Sequence, residues 1–203
     1  MAPLTTGNGL PNVVVTGVAM TTALATDAEN TWKNLLDGQS GIRTLEDPFV
    51  TEYDLPVRIG GHLLEDFDGE LNKVELRRMS YLQKMATVIG RRAWHNAGSP
   101  EVDPRRLMVS IGTGMGSSEE LLFAYDAMRS RGLRAVSPLV VQMFMPNGPS
   151  AVVGLERGAK AGVCTPISAC ASGSEAIANA WRNIVYGEAD MAICGGVETR
   201  IEA

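Results

Sequence analysis

Short apolar segments alternate with longer amphipathic ones along this chain, and this alternation restricts its fold more than any other feature. Four mostly apolar segments lie at residues 13–18, 107–111, 163–169 and 191–197. Segments of this length and composition are typical of strands buried on both faces. Because strands separated by helices pair in parallel, the sequence predicts an α/β fold with a mostly parallel sheet flanked by helices. Functional sites in such folds lie at the carboxyl ends of the strands.

Capping residues mark the starts of two predicted helices. Thr26 and Glu29 form a capping-box pattern, which predicts a helix that ends near residue 38. Ser80 and Gln83 form a second such pattern, which predicts a helix that ends near residue 97.

The other segments are less regular. A helix is predicted over residues 118–131, with four apolar residues facing inward: Leu121, Leu122, Tyr125 and Met128. Prolines divide residues 133–158 into two short helical pieces with a bend at 146–148. Residues 57–63 are a possible strand, and residues 1–11 are expected to be a flexible arm.

A cysteine lies where the third apolar segment gives way to a helix. Ser172 and Glu175 form a capping pattern directly after Cys170. The unpaired N–H groups and the dipole at a helix N-terminus favour the thiolate, which is the nucleophilic form of cysteine. The alternative is a buried structural cysteine, because free cysteine is among the most buried residue types. Spacing alone does not separate the two interpretations.

Composition excludes several classes of protein. The 203 residues suit one domain or two small ones, and the net charge of −5 argues against a general nucleic-acid-binding protein. The three cysteines have no metal-ligand spacing, so neither a zinc site nor a disulfide framework is predicted. Since no signal peptide and no membrane-length apolar run are visible, we expect a cytoplasmic protein.

A glycine-rich loop follows the second apolar segment. Gly112, Gly114 and Gly116 would need a glycine at position 117 to complete a dinucleotide-binding fingerprint, and Ser117 stands there instead. Two interpretations remain open. Either the glycines let a helix pack close to a strand, or Met115 points into a substrate pocket.

The histidines and the basic residues give weaker signals. His62 and His95 lie in no motif, so the sequence offers a candidate nucleophile without a complete acid–base set. Two groups of basic residues occur, at Lys73, Arg77, Arg78 and Lys84 and at Arg129, Arg131 and Arg134. Such groups are usually a solvated surface, and a function for them requires an acidic partner.

Five stretches resemble the β-ketoacyl–acyl-carrier-protein synthases, the elongating condensing enzymes of the thiolase superfamily. They are V-V-V-T-G at 13–17, I-G-T-G-M-G at 111–116, V-S-P-L-V-V-Q-M-F-M-P-N-G at 136–148, S-A-C-A-S-G-S-E-A-I at 168–177 and Y-G-E-A-D-M-A-I-C-G-G-V-E at 186–198. The resemblance extends to mycobacterial members, which elongate long acyl chains toward mycolic acids. It implies a thiolase-like layered fold.

Members of this family are roughly twice as long as this chain and have two similar α/β halves. The resemblance therefore implies that residues 1–203 form the N-terminal half of an αβαβα architecture. The two histidines and the lysine of the family belong to the C-terminal half, so this half alone is expected to be incomplete as an enzyme.

The resemblance also implies a chemistry. Cys170 would take an acyl group from an acyl-carrier-protein thioester, and its backbone N–H would donate to the oxyanion. Malonyl-carrier protein would then lose CO₂ and attack the acyl-cysteine. Three residues would bind the acyl substrate: Met115, Met143 and Met145. No metal or redox cofactor is implied.

The implied partners are an acyl carrier protein, which delivers thioesters on its phosphopantetheine arm, and a second copy of the chain in a homodimer. A basic patch would face the acidic carrier protein, formed by Lys73, Arg77 and Arg78. The alternatives are a non-catalytic partner subunit that shapes chain length and another acyltransferase of the thiolase superfamily. Such partner subunits replace the cysteine, so Cys170 argues against the first alternative.

Overall fold

The computed structural model describes residues 9–201, which exclude most of the arm expected at residues 1–11. In chain order its helices and strands are α1 (Ala28–Leu36), β1 (Arg43–Thr44), α2 (Pro48–Glu52), β2 (Ile59–Gly60), α3 (Lys73–Arg78), α4 (Tyr81–Asn96), β3 (Leu107–Gly112), α5 (Ser118–Arg131), α6 (Val140–Phe144), α7 (Gly148–Arg157), β4 (Gly162–Cys164), α8 (Ser172–Val185) and β5 (Met191–Gly196). Short 3₁₀ turns lie at Asp68–Glu70, Pro104–Arg106, Leu133–Ala135 and Ala169–Ala171.

β3 is the central strand of a three-stranded sheet with the order β4–β3–β5, and both neighbours run parallel to it. Val109 of β3 pairs in register with Val163 of β4 and Ile193 of β5. All of β3 is buried, as expected for a central parallel strand. The small β1–β2 pair is antiparallel and separate. The predicted α/β fold with a mostly parallel sheet is confirmed.

Helices cover both faces of the three-stranded sheet. Val109 forms a buried cluster with Ala86 of α4 and Val153 of α7. Gly112 lies three positions later in β3, so it faces the other side of the sheet, where it meets Ser172 at the start of α8. The N-terminus of α8 therefore lies at the carboxyl end of β3, the edge predicted to hold the functional site.

Helix α4 begins and ends as the sequence predicts. The Gln83 N–H donates to Ser80 Oγ at 3.4 Å, and the Ser80 N–H donates to Gln83 Oε1 at 2.9 Å. These bonds satisfy two N–H groups that the start of a helix leaves unpaired. After the helix, Gly98 has a φ of +82°, a conformation that glycine adopts without strain. The predicted bend between α6 and α7 is also present.

Residues 13–18, predicted as a strand, pair with no described strand, and Val14 and Val15 are 72% and 81% exposed. The segment lies against the C-terminal end of α4 instead. The Val18 N–H donates to the Asn96 side-chain oxygen at 2.9 Å, and a Cβ on Gly17 would lie only 2.7 Å from the carbonyl oxygen of Ala93. The strand preference of β-branched residues depends on packing against a neighbouring strand, and residues 13–18 have no described neighbour of that kind.

Two other predicted strands are shorter than expected. The segment 163–169 is a strand only as far as Cys164, because Pro166 has no N–H to donate to a ladder. The Pro166 carbonyl instead accepts the N–H of Thr113 at 3.2 Å. Of residues 57–63 only the two residues of β2 are paired, since the partner β1 is itself two residues long.

Two helix predictions are wrong in detail. Asp27 rather than Thr26 caps α1, because its carboxylate accepts the Asn30 N–H at 2.8 Å. The inward face predicted for α5 is also wrong, since only Ala127 of this helix is buried. The predicted inward residues are 41–57% exposed: Leu121, Leu122, Tyr125 and Met128.

Within residues 9–201, no helix combines the length and the apolar character that a membrane crossing requires.

Candidate active site

Cys170 is exposed at the corner between β4 and α8. It lies in the 3₁₀ turn Ala169–Ala171, and α8 begins at Ser172. Ala169, directly before the cysteine, has a φ of +49°. For a residue with a Cβ this left-handed conformation costs roughly 1–2 kcal/mol, so the surrounding contacts must hold the turn in place. The interpretation of Cys170 as a buried structural cysteine does not fit this exposure.

Three glycines bring the start of α8 against the carboxyl ends of β3 and β5. A Cβ on Gly112 would lie 2.3 Å from the Ser172 carbonyl oxygen, and a Cβ on Gly196 would lie 2.9 Å from the Cα of Gly173. Real Cβ atoms do not approach other heavy atoms so closely. Gly112, the first glycine of the pattern, therefore serves close helix–strand packing, one of the two interpretations left open for this loop.

The loop that follows β3 is fixed beside the cysteine turn. The Gly114 N–H donates to Glu198 Oε2 at 2.8 Å, and the Gly116 N–H donates to Thr113 Oγ1 at 3.2 Å. A Cβ on Gly114 would be 3.8 Å from the Cα of Ala169, so the loop runs close beside the turn. Sequence reasoning missed Glu198, although its position just after a parallel strand is a signal for a site residue.

Ser172 has a different role from the capping residue predicted for it. Its Oγ accepts the Ser168 N–H at 2.8 Å and lies 2.7 Å from the carbonyl oxygen of Ala169 and 3.0 Å from that of Thr113. The hydroxyl can donate to either carbonyl. It therefore ties the cysteine turn to the glycine loop, while Ala171 occupies the N-cap position without a side-chain bond.

Glu175, the other half of the predicted capping pattern, is also engaged elsewhere. Its Oε2 accepts a hydrogen bond from Ser168 Oγ, on the strand side of Cys170. The carboxylate thus links the first turn of α8 to the residue two positions before the cysteine.

The structure places the predicted substrate-binding methionines close to one another in the fold. Met115 is 71% exposed on the glycine loop, and Met145 is 40% exposed at the end of α6, where Met143 is half-buried. A Cβ on Gly116 would lie 3.0 Å from the Cα of Pro146, so the loop and the end of α6 adjoin. Cavities of 410 and 380 Å³ open elsewhere, and neither is lined by Cys170 or by these methionines.

The predicted basic patch, Lys73, Arg77 and Arg78, lies on the exposed surface of α3. None of the three forms an ion pair within residues 9–201. Lys84 differs, because its ammonium pairs with Asp68 at 2.8 Å. These three residues therefore present uncompensated positive charge.

Glu75 also lies on α3, but its carboxylate does not pair with the three basic residues of the patch. Its carboxylate bonds the Arg91 guanidinium of α4. The hydrogen bond from Arg91 holds the pKa of Glu75 below its usual value, so the carboxylate stays ionised and paired with α4.

The remaining cysteines and the histidines have other surroundings. Cys164 Sγ lies 3.3 Å from Ser110 Oγ in the sheet, and atoms packed around the sulfur of Cys194 raise the pKa of that thiol by removing water from the thiolate. His62 bonds Asp47 at 2.8 Å, and His95 lies in the last turn of α4. Among the described residues, neither histidine is hydrogen-bonded to Cys170.

Comparison with known proteins identifies the family. The sequence model of the family described as "Beta-ketoacyl synthase, N-terminal domain" matches residues 11–203. The 3-oxoacyl-[acyl-carrier-protein] synthase 2 of Mycobacterium tuberculosis (strain ATCC 25618 / H37Rv) is 74% identical over 203 residues, which are 100% of this chain and 49% of that protein. The chain thus spans about half the length of the curated relatives it matches.

Solved structures share the fold. The ishigamide ketosynthase/chain length factor has a TM-score of 0.78 at 23% identity, over 90% of this chain and 46% of that one. A type II PKS acyl-carrier protein in complex with its ketosynthase has a TM-score of 0.71 at 18% identity, over 92% of this chain and 50% of that one. The thiolase-like fold expected from the resemblance is confirmed. The chain belongs to the β-ketoacyl synthase family, and what it matches is the N-terminal domain of that family.

Proposed function

We propose that this chain carries the nucleophile of a β-ketoacyl–acyl-carrier-protein synthase, and that Cys170 is that nucleophile. One observation carries the proposal: the thiol is exposed, at the N-terminus of a helix, in a turn held by the glycine loop, Ser172 and Glu198. Family membership and the name of the mycobacterial relative support the reaction type.

The first step is transfer of the acyl group. Cys170 Sγ forms a bond to the thioester carbonyl carbon, the bond from that carbon to the carrier's sulfur breaks, and the carrier thiol leaves with the proton that Cys170 gave up. The backbone N–H of Cys170 is the proposed donor to the oxyanion. Loss of such a donor typically slows a reaction by about 10²–10³.

The second step is condensation. The malonyl thioester breaks its bond to the carboxylate and releases CO₂, and the electron pair left behind forms an enolate. The enolate carbon bonds to the acyl carbonyl carbon, and the bond from that carbon to Cys170 Sγ breaks with its electron pair leaving on sulfur, which regenerates the thiolate. Three methionines are proposed to contact the acyl chain. Met115 lies on the glycine loop, and Met143 and Met145 lie in and directly after α6.

We propose that residues 1–203 are the N-terminal half of this synthase and that further polypeptide completes the acid–base set. The chain spans about half of its relatives, and α5 and α8 expose apolar side chains such as Leu122 at 57% and Ile177 at 54%. Such surfaces are typical of contacts with other polypeptide. The proposed substrates are long acyl chains, toward mycolic acid precursors, as the resemblance to mycobacterial members of the family implies.

The proposed partner is an acyl carrier protein, which docks on the basic patch of α3. The solved complex of a ketosynthase with its carrier protein supports this kind of partner. Replacing both Arg77 and Arg78 by glutamate in the full-length protein is expected to lower kcat/KM about tenfold for carrier-bound acyl substrate, because steering of the acidic carrier is lost. Steady-state kinetics with a carrier-bound and a small acyl thioester measure the difference.

Arg129 and Arg131 of α5 provide the matched control, since both are exposed and basic but lie outside the patch. Their replacement by glutamate is expected to change neither rate more than about twofold. Equal losses on carrier-bound and small substrates after the Arg77 and Arg78 changes would remove α3 as the docking surface.

We further propose that two copies pair through the outer edge of β4. This edge pairs with no described strand, and Leu155 and Val163 beside it are 82% and 44% exposed. An open edge flanked by apolar side chains is a template for another strand. Sedimentation velocity of the full-length protein is expected to show a dimer that Val163→Lys weakens. A wild-type protein that sediments with the mass of one chain would exclude the homodimer.

A further inference from the structure

The end of α6 leaves one backbone carbonyl without its ordinary helical partner. The Gln142 carbonyl would accept the N–H of the residue four positions later, which is Pro146 and has none. The neighbouring Val141 carbonyl does find its partner, the N–H of Met145 at 3.2 Å. Gln142 is exposed overall, but its carbonyl points toward α4 and takes a hydrogen bond there from a side-chain donor instead of a helical N–H.

That donor is the side chain of Gln83 in α4. Its Nε2 donates to the Gln142 carbonyl oxygen at 2.9 Å, and Gln83 is only 4% exposed. A Cβ on Gly148 would lie 2.6 Å from the same Nε2, so the glycine at the start of α7 leaves the room that the amide occupies.

The rest of the hydrogen-bond network fixes which way this amide points. Gln83 Oε1 accepts the Ser80 N–H at 2.9 Å, so Nε2 must face Gln142. Ser80 Oγ in turn lies 2.7 Å from Ser117 Oγ, at the end of the glycine loop. Ser80, Gln83 and Ser117 are all buried, and a buried polar network with its bonds made holds its members in one arrangement.

We infer that Gln83 is a positioning residue. Through its bond to the Gln142 carbonyl it fixes the positions of Met143 and Met145, and it thereby determines which acyl chain lengths the enzyme accepts. The inference rests on the proposed function. Met143 follows Gln142 directly, so a shift of the Gln142 carbonyl moves the methionine segment with it. The segment adjoins the loop that carries Met115, through the contact of Gly116 with Pro146. Gln83 itself is buried, so the role proposed for it is positioning and not contact with the substrate.

The test is Gln83→Glu in the full-length protein. Glutamate keeps the oxygen that accepts the Ser80 N–H but turns a second oxygen toward the Gln142 carbonyl, where two acceptors repel. We compare kcat/KM for a long-chain acyl thioester with kcat/KM for a short-chain one. The ratio of the first to the second is expected to fall about tenfold, because repulsion at the Gln142 carbonyl displaces the segment that carries Met143 and Met145. Rates with the short chain should change little. Gln39→Glu, on an exposed loop, is the matched control and should leave the ratio unchanged.

Circular dichroism and thermal unfolding report whether the variant folds. If Gln83→Glu does not fold, the test uses Gln83→Met, which is uncharged and similar in volume. The same fall in the ratio of long-chain to short-chain kcat/KM is expected for it. A folded variant with an unchanged ratio would overturn the inference about Gln83, while an inactive Cys170→Ala would still support the synthase. If Cys170→Ala kept full condensing activity, the proposed function itself would fail, and the two results are therefore distinguishable.

Discussion

Condensing activity is expected to fall by at least about a thousandfold when Cys170 is replaced by alanine, because alanine has no sulfur to carry the acyl group between the two steps. The measurement is product formation by the full-length protein from acyl- and malonyl-carrier thioesters. Since the Cys170 side chain is exposed at the surface of the turn, its removal should leave the fold intact.

Cys194→Ala is the matched control, because it removes a thiol from β5, at the other edge of the sheet, without touching the turn before α8. This variant should keep activity within about threefold of the wild type. If Cys194→Ala lost activity and Cys170→Ala kept it, the nucleophile would have been assigned to the wrong cysteine.

Gly112→Ala is expected to destabilise the protein by at least about 3 kcal/mol, or to prevent its folding. The new methyl group would stand 2.3 Å from the carbonyl oxygen of Ser172, which is backbone and cannot rotate away. Relief requires α8 to move off the sheet, and the cysteine turn would move with it. Urea unfolding of the full-length protein, followed by circular dichroism, measures the midpoint.

Gly69→Ala is the comparison, since nothing lies within 4 Å of a Cβ at that position. It should shift stability by no more than about 1 kcal/mol. Equal urea midpoints for Gly112→Ala and Gly69→Ala would contradict the close approach of β3 to the start of α8. The cysteine turn would then be held in place by other contacts.

Elements specified by neighbouring residues are predictable from the sequence. The start of α4 depends on Ser80 and Gln83, three positions apart, and both bonds of the capping box form. β3 and β5 are apolar runs bounded by turn residues, and they pair in parallel with Val109 opposite Ile193. The position of Cys170 just before a helix follows from the same local pattern, whereas its exposure does not, since the spacing left a buried structural cysteine equally open.

Features that depend on distant partners are not predictable in this way. Residues 13–18 have the composition of a strand, but Gly17 and Val18 contact the end of α4 instead of a neighbouring strand. The glutamate at 198 binds a loop 84 positions earlier in the chain, and a capping residue, Gln83, also serves a carbonyl 59 positions later. Periodicity and spacing carry no information about such pairings.

Mass spectrometry of the acylated enzyme tests the central claim most directly. The full-length protein is incubated with a long-chain acyl-carrier thioester, digested, and searched for peptides that have gained the mass of the acyl group. The account predicts that the gain falls on the peptide containing Cys170 and is absent from Cys170→Ala. An acyl group found on Cys164 or Cys194, or equal labelling of wild type and Cys170→Ala, would contradict it.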